Sequence, residues 1–549
     1  MTSATSDFRG AALDSAHAGD IRGALGTIAV DDLAARSSVS AKIKTLLAIV
    51  GPGLIVMVGD NDAGAFSTYG QAGQNYGTHL LWTFVLLIPV LYVNQEMVLR
   101  LGAVTGVGHA RLILERFGRF WGAFSVIDLF LLNALTIITE FIGITLAAGY
   151  LGVPKIVAVI LAALVIVASA MTGSFRRFER IAMVFCAGSL LLVPVYVFSH
   201  PPARQMAAGF VLPVLPGGGG QFATVMLLII GIVGTTVAPW QLFFQQSYVI
   251  DKRITPRFIP YEKADLVIGI VVVIVGGAAL MGAAAAAFAG TAAAGHYTSA
   301  AGLAAGLSAY AGKAAGALFA VALLDAAMIG AFAVSLSTAY ALGDVLGLKH
   351  SLHRGIKQAK GFYVMYGALI AGSATIVLIP GSPLGLFTEG VQVLAGVLLP
   401  SATVFLLMLC NDRAVLGPWV NGRFTNAFAG GVIALLIMLS MILIASVTFP
   451  RITAGQILAI MAGFGAAALL TVVALLLRRP PAVAGGGAAG SAAGPDPATR
   501  ETWRMPSLAM LAPAPMSVGR RVGMAGMWVY LVIAIAAVVV RIVQVATGH

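Results

Sequence analysis

Apolar runs long enough to cross a lipid bilayer recur along the whole chain, and they leave few folds open. Thirteen are read, at about 46–69, 80–101, 121–151, 156–171, 181–198, 222–250, 266–289, 314–346, 362–379, 384–409, 427–449, 457–477 and 524–540. A helix of ~20 residues spans the hydrocarbon layer. Inside that layer each segment has to satisfy its own backbone N–H and C=O groups. The chain is therefore expected to be an all-α polytopic membrane protein. Its composition agrees: 59% of the 549 residues are hydrophobic and 10% are charged, against about 25% charged in soluble domains. The 65 glycines suit close helix contact in lipid.

Lys and Arg test the count. With the N-terminus in the cytoplasm and the sides alternated, Lys155, Arg204, Lys313, Arg451 and Arg541 fall outside, and the other 28 of the 33 fall inside. A missed or extra segment would scramble that bias, so it supports both count and orientation. The net charge of +12 thus marks topology, and no nucleic-acid partner is expected. Cys186 and Cys410 lie in apolar runs or at their ends, which argues against a disulfide framework. The first 40 residues lack the apolar core of a signal peptide.

Two runs break their own middles. Run 1 is interrupted at "GDNDAG", 59–64, and run 6 at "GTTVAPWQ", 234–241. Four runs follow each break before the pattern restarts. Five is odd, so the two halves have opposite orientations in the membrane. Interrupted segments at matching positions of inverted halves point to a binding site at the bilayer midplane.

Asp60 and Asp62 dominate the first break. On a continuous helix, residues two apart point to nearly opposite sides; an unwound stretch frees both to converge. A central charge costs ~2.5–3.5 kcal/mol on insertion scales, and the two acids also repel. A bound cation offsets both. The plainer reading is one acid in a water-filled vestibule. Asn61 shares the stretch. Opposite, Thr235, Thr236 and Gln241 offer oxygens beside Pro239, which cannot complete a helical hydrogen bond; the plainer reading there is a proline kink. Glu140, in "TIITEFIG", and Asp325, in "ALLDAAMIG", are divided between an ion pathway and structural hydrogen bonding. Glu96 and Asp128 are weaker candidates. Glu389 and Gln392 line either a pore or a helix contact. His79, His200 and His296 lie in connections, none at a metal-ligand spacing. Nothing resembles a nucleophile–base constellation, so an enzyme is not expected.

At the two breaks the chain resembles the Nramp family of proton-coupled divalent-metal transporters. "GPGLIVMVGDNDAG" looks like the family's first segment, which usually ends in Asp-Pro-Gly-Asn. "RLGAVTG", "FRRFERI", "LPVLPGG", "IIGIVGTTVAPWQL", "LFAVALL" and "QVLAGVLLP" are similar in order and spacing, over roughly runs 1 to 11. The resemblance implies a LeuT-type fold of two inverted five-helix repeats plus extra C-terminal helices. It implies a divalent metal ion as transported substrate, a lipid bilayer as surroundings and no cofactor.

The departures carry further expectations. Asp62 falls on the family's metal-binding Asp, but the motif's Pro falls on Ala63 and its Asn on Ala65. In run 6 the metal-binding Met falls on Ala238 and the neighbouring His on Trp240. The run-3 Asp of the proton route falls on Ile137, while the Glu one turn later is kept as Glu140. The run-10 Gln falls on Leu398. Losing a thioether removes a filter for softer metals and leaves room for water, which Mg²⁺ sheds reluctantly. The pattern is similar to the Nramp-related magnesium transporters. The expected function is Mg²⁺ (and Mn²⁺) uptake by alternating access, with a partly hydrated ion and no proton coupling. The expected site is Asp62, Asp60, Asn61, Thr235, Ala238 and Gln241, with Glu140 and Asp325 as a possible ion pathway. A proton-coupled Mn²⁺/Fe²⁺ transporter and a LeuT-type amino-acid symporter remain as alternatives.

The expected organisation is a disordered cytoplasmic tail over 1–44, a transporter core over 45–410 holding runs 1–5 and 6–10, and accessory helices over 411–478. A cytoplasmic linker over 479–522, largely Ala, Gly and Pro where it begins, and a C-terminal membrane helix over 523–549 follow. The expected location is a bacterial plasma membrane.

Overall fold

A computed structural model describes residues 15–216, 222–381, 384–449, 452–477, 497–511, 514 and 518–547. Each of the thirteen apolar runs is helical. Run 1 is three helices in series, α1 (Val39–Ile49), α2 (Pro52–Val58) and α3 (Ala63–Tyr76). Runs 2 to 5 give α4 (Trp82–Thr105), α5 (Arg119–Tyr150), α6 (Lys155–Ala170), and the pair α7 (Phe175–Gly188) and α8 (Leu192–Ser199). Run 6 is split into α9 (Phe222–Thr236) and α10 (Pro239–Asp251). Then come α11 (Ile259–Phe288), α12 (Lys313–Leu346), α13 (Lys360–Leu378), α14 (Leu384–Cys410), α15 (Arg423–Thr448), α16 (Ala454–Leu477) and α17 (Val518–Thr547). Among the described residues nine spans are long and apolar enough to cross a membrane unaided. The bent pair α1–α2 makes a tenth, and runs 4, 12 and 13 supply shorter apolar stretches.

The fold is LeuT-type. The two broken runs sit in the middle of the bundle: α2 and α3 pack along α11, α9 along α14, and α10 against α4 and α12. α5 and α12 pack along each other and close one side. The C-terminal additions are peripheral. α17 lies on α14 and α15, where the Tyr530 hydroxyl donates to the Val397 carbonyl at 3.0 Å.

Run 1 bends by 53° between α1 and α2, and both sides of the bend are capped by charge. Lys252 Nζ donates to the carbonyls of Ile49 at 2.6 Å and Val50 at 2.9 Å. Asp265 accepts from the amides of Gly51, Gly53 and Leu54 at 3.1, 2.7 and 3.2 Å. A cation at a helix C-terminus and an anion at an N-terminus oppose the end charges of the two helices. Gly51 has φ +157°, and a β-carbon there would strike Glu179 and Lys252, so no larger residue fits the corner.

Two expectations change. The tail expected to be disordered over 1–44 is ordered from Ser15 onward. It forms a small hairpin, β1 (Ile21–Arg22) and β2 (Thr27–Ile28), with Ile21 opposite Ile28, and then α1. Its apolar side chains are too few to fold alone, but other connections supply what it lacks. Arg176 donates to the carbonyls of Gly23 and Gly26, Arg180 to that of Ala24, and Arg253 to that of Ala16, at 2.8–3.1 Å. Glu179 accepts from the Ala24 amide at 2.5 Å, and Ile21, Ala24 and Ile28 are buried. The linker is likewise structured from Pro497: Arg500 stacks 4.1 Å over the Trp419 ring, and the Trp419 indole donates to the Arg500 carbonyl. Residues 478–496 lie outside the described part. The connections that the charge alternation assigns to one side thus meet at one end of the bundle, the basic end.

Candidate ion site at the two helix breaks

Between α2 and α3 the chain unwinds over Gly59–Asp62. Gly59, Asp60 and Asn61 still donate backwards to the carbonyls of Ile55, Met57 and Val58, which closes α2. Asp62 then turns extended, with φ −75° and ψ −173°, and caps α3: its Oδ1 accepts from the Ala65 amide at 2.8 Å. An Asp at this position is a favoured N-cap. The second break mirrors the first. Thr236 ends α9, Ala238 is extended, and Pro239 opens α10 at the first helical position, where a missing N–H costs nothing.

One side chain joins the breaks. Gln241 donates to both Asp60 Oδ1 and the Thr236 carbonyl, and its own oxygen accepts from Gln95 of α4 at 2.9 Å. Glu140 of α5 closes the other wall. Its Oε2 accepts from the Ala63 amide at 3.1 Å, and its carboxyl lies against Asp62. Gly330 of α12 makes room for both: a β-carbon there would stand 2.7 Å from the Glu140 carboxyl and 3.0 Å from the β-carbon of Asp62.

Asp60, Asn61, Asp62, Thr235, Gln241 and Glu140 are all almost fully buried. Several of their oxygens have no hydrogen-bond partner: one each on Asp60, Asn61 and Glu140, and the Thr235 hydroxyl. Buried polar oxygens left open are costly, and here they gather at two helix breaks. Among the described residues no three His, Cys, Asp or Glu side chains meet at metal-ligand geometry. Asp60 turns towards α10 and Asp62 onto α3, so the two carboxylates do not converge on one point.

The structure separates some residues that the sequence groups. The Asn61 amide donates to the Val273 carbonyl of α11 at 3.1 Å, so that end of the side chain faces away from α10. Asp325 faces Gly188, at the junction of α7 and α8, on the far side of α12 from the breaks. Ala238 is the N-cap of α10 and makes no side-chain cap bond. Leu398, where the resemblance puts an amide ligand, packs among Leu132, Val391, Ala395 and Leu531. The amide that reaches the site is Gln392, one and a half turns earlier: a β-carbon on Gly64 would overlap it and stand 3.1 Å from Asp62 Oδ1. The glycine two residues after Asp62 was the available signal. The Glu389 side chain lies outside the described part. Trp240 and Ile137 are buried; the Trp240 ring edge covers Gly59.

A cavity of about 90 Å³ approaches the site from the end opposite the basic one. Ala63, Ser67, Thr139 and Gly143 line its inner part, and Tyr297, Ser299 and Ala300 its mouth.

Two discontinuous helices from inverted halves, buried acids at the breaks and a polar approach define a class, the multi-pass membrane proteins of LeuT-type fold. Within it the chain belongs to the Nramp family. The model for "Natural resistance-associated macrophage protein-like" proteins matches residues 53–446. The divalent metal cation transporter MntH of Ralstonia nicotianae is 30% identical over 404 residues, covering 70% of this chain and 88% of that one. MntH of Pectobacterium carotovorum is 26% identical over 431 residues, covering 74% and 96%. The crystal structure of the Eremococcus coleocola manganese transporter shares the fold, with a TM-score of 0.61, 22% identity, and coverage of 81% of this chain and 96% of that one.

Proposed function

We propose that this protein is a divalent metal ion transporter that takes up Mg²⁺ and Mn²⁺ by alternating access, with the basic end in the cytoplasm, as in the Nramp-related magnesium branch. The observation that carries the reading is the donor set. The buried side-chain nitrogen and oxygen atoms left open at the breaks include oxygens of Asp60, Asn61, Glu140 and Thr235 that can ligate a cation. Neither a thioether nor an imidazole stands beside Pro239, where Ala238 and Trp240 are found. Oxygen donors suit hard cations, and Mg²⁺ is usually held by one or two carboxylates with retained water. The matched family and its named metal-transporting relatives support the substrate class.

Transport proceeds without the ordinary proton route. Ile137 and Trp240 carry no exchangeable carboxyl or imidazole at the positions that the family uses. The cavity that reaches Ala63 from the end opposite the basic one is the approach by which an ion would enter. Competitive titration tests the ion preference: buffer stripped of other metals, trace Mn²⁺ and purified protein in nanodiscs, with Mg²⁺ or Cd²⁺ as competitor. Mg²⁺ should displace Mn²⁺ at concentrations comparable to those of Cd²⁺. Displacement by Cd²⁺ at concentrations about a thousandfold lower, as a soft-donor site gives, would sink the reading.

A further inference from the structure

Among the eight buried carboxylates of the described residues, one stands apart. The buried carboxylates of the described chain are Asp60, Asp62, Glu140, Glu179, Asp251, Glu262, Asp265 and Asp344. Seven keep at least one partner. Glu179 has Lys252 and the Ala24 amide; Asp265 has three amides; Asp251 has Tyr340, Ser351 and the Leu352 amide; Asp344 has His350. Glu262, near the start of α11 and 0% exposed, has no partner on either oxygen.

Its surroundings are as open as it is. Gln245 of α10 faces the Glu262 carboxyl outside hydrogen-bonding geometry, and neither its oxygen nor its nitrogen has a partner. On α4, which packs along α11, Asn94 is 0% exposed with both amide atoms open. It shares a turn with Gln95, which bonds Gln241, and with Glu96, which pairs with Lys263 at 2.9 Å. The nearby charges are Asp265, Glu179 and Lys252, and Lys252 is already spent on Glu179 and two carbonyls. The neighbouring Lys263 is held by Glu96. Among the described residues no cation is left for Glu262.

These open groups continue from the helix breaks. Asp60 bonds Gln241, Gln241 bonds Gln95, and Gln245 stands one turn of α10 beyond Gln241 towards the basic end. Building on the transport reading, we propose that Glu262, with Gln245 as its amide partner, is a second and weaker divalent-cation site, occupied by the ion after it leaves Asp60 and Asp62 and before it enters the cytoplasm. One carboxylate and an amide oxygen, with water, hold such an ion loosely enough to release it. Lys252 and Asp265 fix the surrounding backbone, so the site persists while the ion changes.

The test uses the full-length protein. Equilibrium binding of Mn²⁺ in nanodiscs should give about two ions per chain, one tight and one weak. Glu262→Gln, which keeps the shape and removes the charge, should retain only the tight ion, and Asp62→Ala only the weak one. In proteoliposomes, Mn²⁺ uptake by Glu262→Gln should fall about tenfold, while Glu262→Asp should keep most of the wild-type rate. That rescue separates a charge on the route from a packing role. A single ion on the wild type, two ions on Glu262→Gln, or equal uptake losses in both Glu262 variants would overturn the proposal. Failure of the wild type itself to move Mn²⁺ would instead strike the transport reading on which it rests.

Discussion

The two ends of the bundle are built from opposite materials. At the outer end small and hydroxyl-bearing residues, Ala63, Ser67, Thr139, Gly143 and Ala300, leave a cavity that reaches the residue after Asp62. At the basic end other helices and their connections are knotted by charge. Lys252 and Glu179 form a fully buried pair at 2.7 Å, Arg100 and Lys263 share Glu96, and the N-terminal hairpin is strapped across by Arg176 and Arg180. The difference teaches how one site can serve two faces. Under the proposed alternating access, opening the cavity end would need only a shift of small side chains, whereas opening the basic end would have to exchange buried, partnered charges for water. The α1–α2 corner, capped on both sides by Lys252 and Asp265, is where that exchange falls.

The largest expected effect is at the point where the two ends meet. Asp62→Ala should abolish Mn²⁺ and Mg²⁺ uptake into vesicles, because it removes a site carboxylate. It also removes the cap of α3, at a cost of about 1 kcal/mol, so the variant should still fold, with a slightly lower melting temperature. Near-normal uptake by this variant would remove Asp62 from the site.

A second change breaks the basic end alone. Lys252→Met leaves Glu179 buried without its partner, which costs ~3–5 kcal/mol. The melting temperature should drop sharply, and a cysteine placed at Ala24 should react faster with a thiol reagent added from the cytoplasmic side. An unchanged labelling rate would show that the pair does not hold the strap. A third change sharpens the comparison by altering the ion and neither end. Ala238→Met should raise the Cd²⁺-to-Mg²⁺ affinity ratio about tenfold by adding a thioether, and more with Ala65→Asn added; the check is paired titration of parent and variants.

The smallest effect concerns pH at the basic end. Burial alone lowers the pKa of His350, but the Asp344 carboxylate 3.1 Å away outweighs it, helped by the Leu348 carbonyl, and the value rises to about 9. A His raised in the folded state stabilises fully below its unfolded value, near 6.5, and loses that stability as pH climbs towards 9. Melting temperature should therefore fall by a few degrees between pH 6.5 and 9, and by less in His350→Gln. Equal falls in both proteins would exclude His350 as the source.

Much of this was legible in the residues. Uniform hydrophobicity marks the helices, and Gly-Asp-Asn-Asp and Ala-Pro mark the breaks, because those residues cannot continue a helix in lipid without compensation. Asp62, Gln241 and Glu140 were readable because an acid or amide at that depth needs a reason. Gln392 was readable only as either a pore wall or a helix contact, since its approach to Asp62 depends on the missing β-carbon of Gly64. The turn of Asn61 onto Val273 was not readable, being a choice between two neighbouring helices that no local pattern encodes. The ordered N-terminal strap was hidden because its partners, Arg176 and Glu179, lie some 150 residues away; its own sequence is as polar as a disordered tail.

Hard divalent cations are proposed to cross at the Asp60–Asp62 break without protons. The direct measurement is Mg²⁺ uptake into proteoliposomes that hold both a Mg²⁺ indicator and a pH dye, with Cd²⁺ in a parallel set. The account predicts Mg²⁺ entry with no more acidification of the lumen than in protein-free vesicles. Exclusion of Mg²⁺ together with Cd²⁺ entry that acidifies the lumen would contradict it.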